Sequence, residues 1–139
     1  MSAWKPKWSP LPEPYVPGQT PRPSEGAYEH LRASVRNGMS PEDLATCPAF
    51  VEGLRLLDTG WFWEAHEVLE PVWMACPPNS RERMATKALI QIANARLKAR
   101  MGMNRAVERL LVEATGIIAE LGDQPVLGLE VDSLRSRLR

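Results

Sequence analysis

The chain is poor in the residues that build sulfur or metal frameworks. It has two cysteines, Cys47 and Cys76, and two histidines, His30 and His66. The cysteines are far apart in sequence and form no CxxC pair. That excludes a disulfide scaffold and a zinc ribbon, and leaves two reduced thiols, as expected of a cytoplasmic protein. Long apolar runs are missing, so no membrane-spanning segment is expected. The first residues, Met-Ser-Ala-Trp-Lys-Pro-Lys-Trp, hold no continuous apolar stretch, so no secretory leader is expected. HExxH, a glycine-rich phosphate loop and internal repeats are all lacking. Net charge is lacking too, at +0, which removes the bulk attraction that nucleic-acid-binding domains use.

What charge there is lies unevenly. Residues 39–78 carry one basic group, Arg55, against seven acids, whereas residues 79–109 carry eight basic groups against two acids. No aromatic residues are interleaved among the basic ones. The expectation is an acidic segment packed beside a basic one within the fold, with no nucleic-acid surface. With 139 residues, 44% hydrophobic, the chain can bury a single core.

Proline is abundant and concentrated. Seven of the thirteen prolines fall in residues 1–23, with Trp4, Trp8 and Tyr15 between them. Such density forbids helix and favours extended backbone. The large aromatics point to a strap lying in surface grooves; the alternative is a free tail or a proline-rich ligand for another protein. The division expected is therefore an extended strap, 1–23, and a single helical-bundle domain, 24–139.

Helical signals fill the rest. Ser24 reads as the cap of a first helix, with Ala27, Leu31 and Val35 as its stripe and Asn37-Gly38 as its end. Ser40-Pro41-Glu42-Asp43 is a strong start, and Pro48 restarts the helix. Helices are expected over about 61–75, with Pro71 inside as a kink or register break, and over about 81–101 capped by Ser80. A further helix, about 105–121, is capped by Asn104 and closed by Gly122, and a last short one is capped by Asp132. The apolar connector 124–129 should pack back on the bundle. The fold class is all-α: about five helices in an antiparallel bundle.

Residues 60–73 hold three of the five tryptophans, one histidine and three carboxylates. His66, Glu70 and Trp73 stand at i, i+4 and i+7, on one helical face. On a wheel with Phe62 at zero, Ala65, Leu69, Val72, Phe62 and Trp73 form the core face, and His66, Glu70 and Trp63 follow at about 40°, 80° and 100°. Glu70 can accept from the imidazole of His66 and fix its tautomer, a pair suited to scaffolding. Three other readings stay open. His66 and Glu70 can be two ligands of a metal, completed by His30 or Glu67. They can form an acid–base dyad, with Gln91 or Asn94 holding a small polar substrate. Or Trp61, Trp63 and Trp73, with the strap aromatics, can line a groove for a small ligand or a protein. No cofactor and no named reaction follow from the sequence. The apolar circumference of helix 81–101 leaves room for a homodimer.

The run Trp-Glu-Ala-His-Glu-Val-Leu-Glu-Pro-Val-Trp, 63–73, resembles the signature of the family called domain of unknown function 309: a histidine, three residues, a glutamate, two residues and a tryptophan. Leu89-Ile90-Gln91-Ile92-Ala93 with Gly102 looks like its second block, and Ala106 to Leu121 like its third helix, so the resemblance spans roughly residues 50–135. Tyr-Val-Pro-Gly, 15–18, looks like a bacterial subgroup in which Pro-His-Pro follows; here Pro21-Arg22-Pro23 stands instead. The resemblance implies a helical bundle and groups His66, Glu70 and Trp73. It implies no activity.

Overall fold

The structure, a computed structural model, describes residues 4–9 and 11–139. The extended backbone expected at residues 1–3 and Pro10 lies outside them. Seven helices are present among the described residues: α1 (Glu29–Arg32), α2 (Pro41–Thr46), α3 (Pro48–Asp58), α4 (Phe62–Ala75), α5 (Arg81–Arg100), α6 (Asn104–Glu120) and α7 (Val131–Ser136). There is no strand among them, only an isolated bridge between Val126 and Leu129. The all-α expectation holds, with seven helices in place of about five. Among the described residues no helix is long and apolar enough to cross a membrane.

Neighbouring helices pack in sequence order, α3 on α4, α4 on α5 and α5 on α6. Leu56, Leu69, Leu89, Ile92 and Ile118 are fully buried where they meet. A Cβ at Gly53 would stand 2.5 Å from Leu69 Cδ2, so glycine lets α3 and α4 approach. Half of α5 is buried, including Ala85, Ala88, Ala93 and Ala95. Most of its apolar circumference is covered within the chain, though Ala99 is exposed and Met84 half-buried.

Helix starts follow their local chemistry where a short polar side chain is available. Ser40 Oγ accepts from Asp43 N at 3.1 Å, and Ser80 Oγ from Arg83 N at 3.1 Å. Cys47 cannot cap α3. Ser34 acts from a distance: its Oγ accepts from Ala49 N at 3.1 Å and donates to Leu31 O at 2.6 Å. Three expected starts differ. The first helix shrinks to four residues, because Gly26 adopts φ +84° and residues 24–28 form turns where Ser24 was to cap. Asn104 lies inside α6 after Met103 and makes no capping bond. Asp132 sits in the first turn of α7 after Glu130 and binds Arg135 at 2.5 Å. Helix α4 continues through Pro71, without the register break expected there.

The arginines of α5 bond to backbone carbonyls where neighbouring segments close. Arg81 donates to Leu121 O at 2.9 Å, Gln124 O at 2.5 Å and Pro125 O at 3.1 Å, meeting the negative end of α6. Arg83 donates to Cys76 O at 3.1 Å, and Arg96 to Arg137 O at 3.1 Å and to Arg139 O. Arg100 donates to Gly60 O at 2.6 Å. Gly60 holds φ +91° in the turn before α4, and a Cβ there would come within 2.8 Å of that guanidinium.

The described part of the proline-rich segment carries no helix and lies against the bundle. Trp61 Nε1 donates to Trp4 O at 3.3 Å, and Trp8 Nε1 to Glu52 at 3.4 Å. The Tyr15 ring meets Trp63 edge-on at 4.9 Å. Gln19 reaches Arg100 O at 2.9 Å. The segment thus touches α3, the start of α4 and the end of α5.

Candidate functional site

On one turn of α4, His66 lies between two carboxylates. Its Nε2 is 3.3 Å from Glu70 and its Nδ1 is 3.5 Å from Glu67. The i, i+4 spacing brings the first pair together, as the sequence predicts; the adjacent Glu67 takes the other ring nitrogen. The group is open to solvent: the side chains of His66, Glu67 and Glu70 are 27%, 22% and 49% exposed. One donor atom from each of the three falls within 4.8 Å of the others. The two ring nitrogens point to different carboxylates, however. A single ion can take only one of them, so metal binding by all three requires the imidazole or a carboxylate to turn.

Glu67 joins this group to a cavity. A space of about 310 Å³ lies between residues 22–32 and α4, lined by Arg22, Tyr28, Arg32, Trp63 and Glu67, with Ser24, Glu25 and Glu29 at its edge. Arg32 lies 3.5 Å from Glu67. The Arg22 guanidinium stands 5.7 Å from the Trp63 ring, a cation–π contact. Trp63 forms one wall and is held from behind by Tyr15 and by Tyr28, 5.9 Å between ring centres. The walls therefore offer two cations, carboxylates and an aromatic face.

Behind that wall is Glu64, 1% exposed. Its Oε2 accepts the Tyr15 backbone N–H at 2.8 Å, while Oε1 has no partner among the described residues. Burial pushes its carboxyl above the usual range, against the opposing effects of the Tyr15 bond and the Arg100 charge. The Tyr28 hydroxyl is likewise buried without a partner, and burial, with Glu64 and Glu67 nearby, raises it. Burial lowers Arg100, and Glu64 partly restores it.

The other expected site residues lie apart from His66. Trp73 packs under Arg83 and Lys87, 4.2 and 5.2 Å from its ring, beside a second cavity formed with Met84, Ile117 and Glu120. Gln91 is buried and accepts from Asn94 at 3.4 Å; neither lines the Trp63 cavity. His30 is exposed, edge-on to Trp8 at 5.9 Å, and is not in the His66 group. Conversely, Arg22, Arg32 and Tyr28 were not expected at a site. The sequence singled out Arg22 only as part of Pro21-Arg22-Pro23, and gave no signal for Tyr28 or Arg32.

No curated protein and no solved structure matches the chain. A family model does, over a shorter range than the 50–135 read from the motifs. Residues 50–110, from α3 to the first part of α6, match the family described as Domain of unknown function (DUF309).

Proposed function

We propose that the chain binds a small polar molecule in the cavity between residues 22–32 and α4, with His66 at its margin to donate or accept a proton. The observation that carries this is the continuity from Arg32 through Glu67 to His66, at 3.5 Å each. A ligand with an anionic group would meet Arg22 and Arg32. A flat face would lie on Trp63, and a hydroxyl or amine would meet Glu67. The scaffold reading draws less support, because ion pairs as exposed as these contribute only about 0–1 kcal/mol. The two buried, unpaired thiols suit a reducing compartment, which supports a cytoplasmic setting.

The test is ligand-observed NMR with a set of small carboxylates, phosphates and amino acids. Binders should appear for the full chain and weaken about tenfold in Arg32→Ala and Trp63→Ala. A set with no binders, or binders indifferent to both substitutions, would remove the proposal.

A second reading rests on the donor atoms within 4.8 Å. A divalent transition metal would be held by one His66 nitrogen with Glu67 and Glu70, and would polarise a ligand oxygen in the adjoining cavity. Calorimetric titration with Zn²⁺ and Mn²⁺ distinguishes it: uptake at one ion per chain, lost in His66→Ala, supports it. Equal uptake by that variant sinks it.

A further inference from the structure

Helix α6 has a face that the chain does not use. Leu110, Ala114, Ile118 and Leu121 point into the core. On the opposite side Val112 is 67% exposed; a shallow groove along Val107, Leu111 and Thr115 lies on one flank, between Val112 and the core face. Gly116 lies on the Val112 side, with nothing within 4 Å of where its Cβ would stand. A glycine inside a helix costs stability relative to alanine, and no contact among the described residues exploits the gap.

The charges of α6 are also placed against its own field. No acid lies in its first turn and no base in its last. Instead Arg105 is near the N-terminal end, where the dipole is positive, and Glu120 is at the C-terminal end, where it is negative. Arg109 and Glu113 lie nearer the middle of the helix, where the dipole acts weakly. On a helical wheel with Val112 at zero, Arg105, Gly116, Arg109, Glu120 and Glu113 fall at about 20°, 40°, 60°, 80° and 100°, one flank. No ion pair found among the described residues involves any of the four charges.

We propose that this face is a self-association surface, on which α6 packs antiparallel against α6 of a second copy about a two-fold axis near Val112. Such an axis sets position i of one copy opposite about 224 − i of the other, with like flanks meeting. Arg105 then faces Glu120 of the partner subunit, and Arg109 faces Glu113 of the partner subunit. Four reciprocal pairs form, two of them from the end charges Arg105 and Glu120 that are unfavourable in the single helix. The two Val112 side chains meet at the centre, and Gly116 and Ala119 leave room for the close approach. One helix pair buries less than the roughly 1,200 Å² of a standard interface, so the dimer is concentration-dependent.

Sedimentation velocity of the full chain tests this from about 1 µM to about 1 mM, a range that brackets weak dimers. The expected result is a rise from the 15.6 kDa monomer toward twice that mass. Val112→Glu, which sets carboxylates face to face, should raise the dissociation constant at least about tenfold. Arg105→Glu and Glu120→Arg should each weaken association several-fold, and the double variant should recover it, because both pairs are then reversed and not lost. All of these positions are exposed, and circular dichroism checks that folding is unchanged. A chain that stays monomeric throughout overturns the proposal. So does a dimer indifferent to Val112→Glu, or one that the double charge reversal fails to restore.

Discussion

Helix α4 carries two polar regions within two turns, and they are built on opposite principles. Glu64 is buried under the proline-rich segment, with one oxygen accepting a backbone N–H and the other without a partner among the described residues. His66, Glu67 and Glu70 are polar neighbours partly open to solvent beside a cavity. Removing one partner from a dry site leaves an unpaired group that costs its full desolvation; in a wet site water takes the vacant place. The sealed region is expected to govern stability, and the open one to govern binding.

The strongest way to break that contrast is on the sealed side. Trp61 is 2% exposed and donates to Trp4 O. Trp61→Ala should cost about 3–5 kcal/mol in denaturant unfolding. A loss under about 1 kcal/mol would mean the covering segment is incidental.

Next comes the pH dependence of Glu64. Its folded carboxyl is raised by burial, so the folded state holds this proton better than the unfolded chain does. The contribution is full below the ordinary glutamate range and is lost as pH rises through the raised folded value. Relative to Glu64→Gln, the wild-type melting temperature should therefore fall between acidic and neutral pH. Parallel melting curves across pH 4–8 would show that the carboxyl is not desolvated in solution.

On the open side, His66→Ala and Glu70→Gln should each change stability by less than about 1 kcal/mol. A larger penalty would restore the scaffold reading of the pair and merge the two regions. The smallest stability effect is expected from Arg32→Ala, within about 0.5 kcal/mol, measured beside its weakened binding of whichever small molecule occupies the cavity.

The sequence revealed one side of α4 and missed the other. Ala65, Leu69 and Val72 were placed in the core by the 3.6-residue period, and they are buried. Glu64 and Val68 fall outside that stripe on the wheel yet are equally buried, because a wheel assumes one packing face. Charge of one sign in α5 was legible, but not its destination: the arginines meet carbonyls of Leu121, Cys76 and Gly60. The His66–Glu70 pair could be read because its spacing is local. The cavity could not, since Arg22 and Arg32 reach Trp63 and Glu67 only through tertiary folding. The same holds for the separation of Trp73, which Arg83 and Lys87 of α5 hold in place.

The proline-rich segment has a consequence for the order of events in folding. Its bonds close long loops, from Tyr15 to Glu64, Trp4 to Trp61 and Gln19 to Arg100. The helices, by contrast, form from neighbours in sequence. Loop closure is slow and entropically costly relative to local helix formation, so the bundle should assemble first and the segment dock afterwards. Arg22 and Trp63 share a cavity wall only after that step. Any molecule that fills the cavity therefore binds the docked chain alone, and by mass action it clamps the N-terminal segment onto α4.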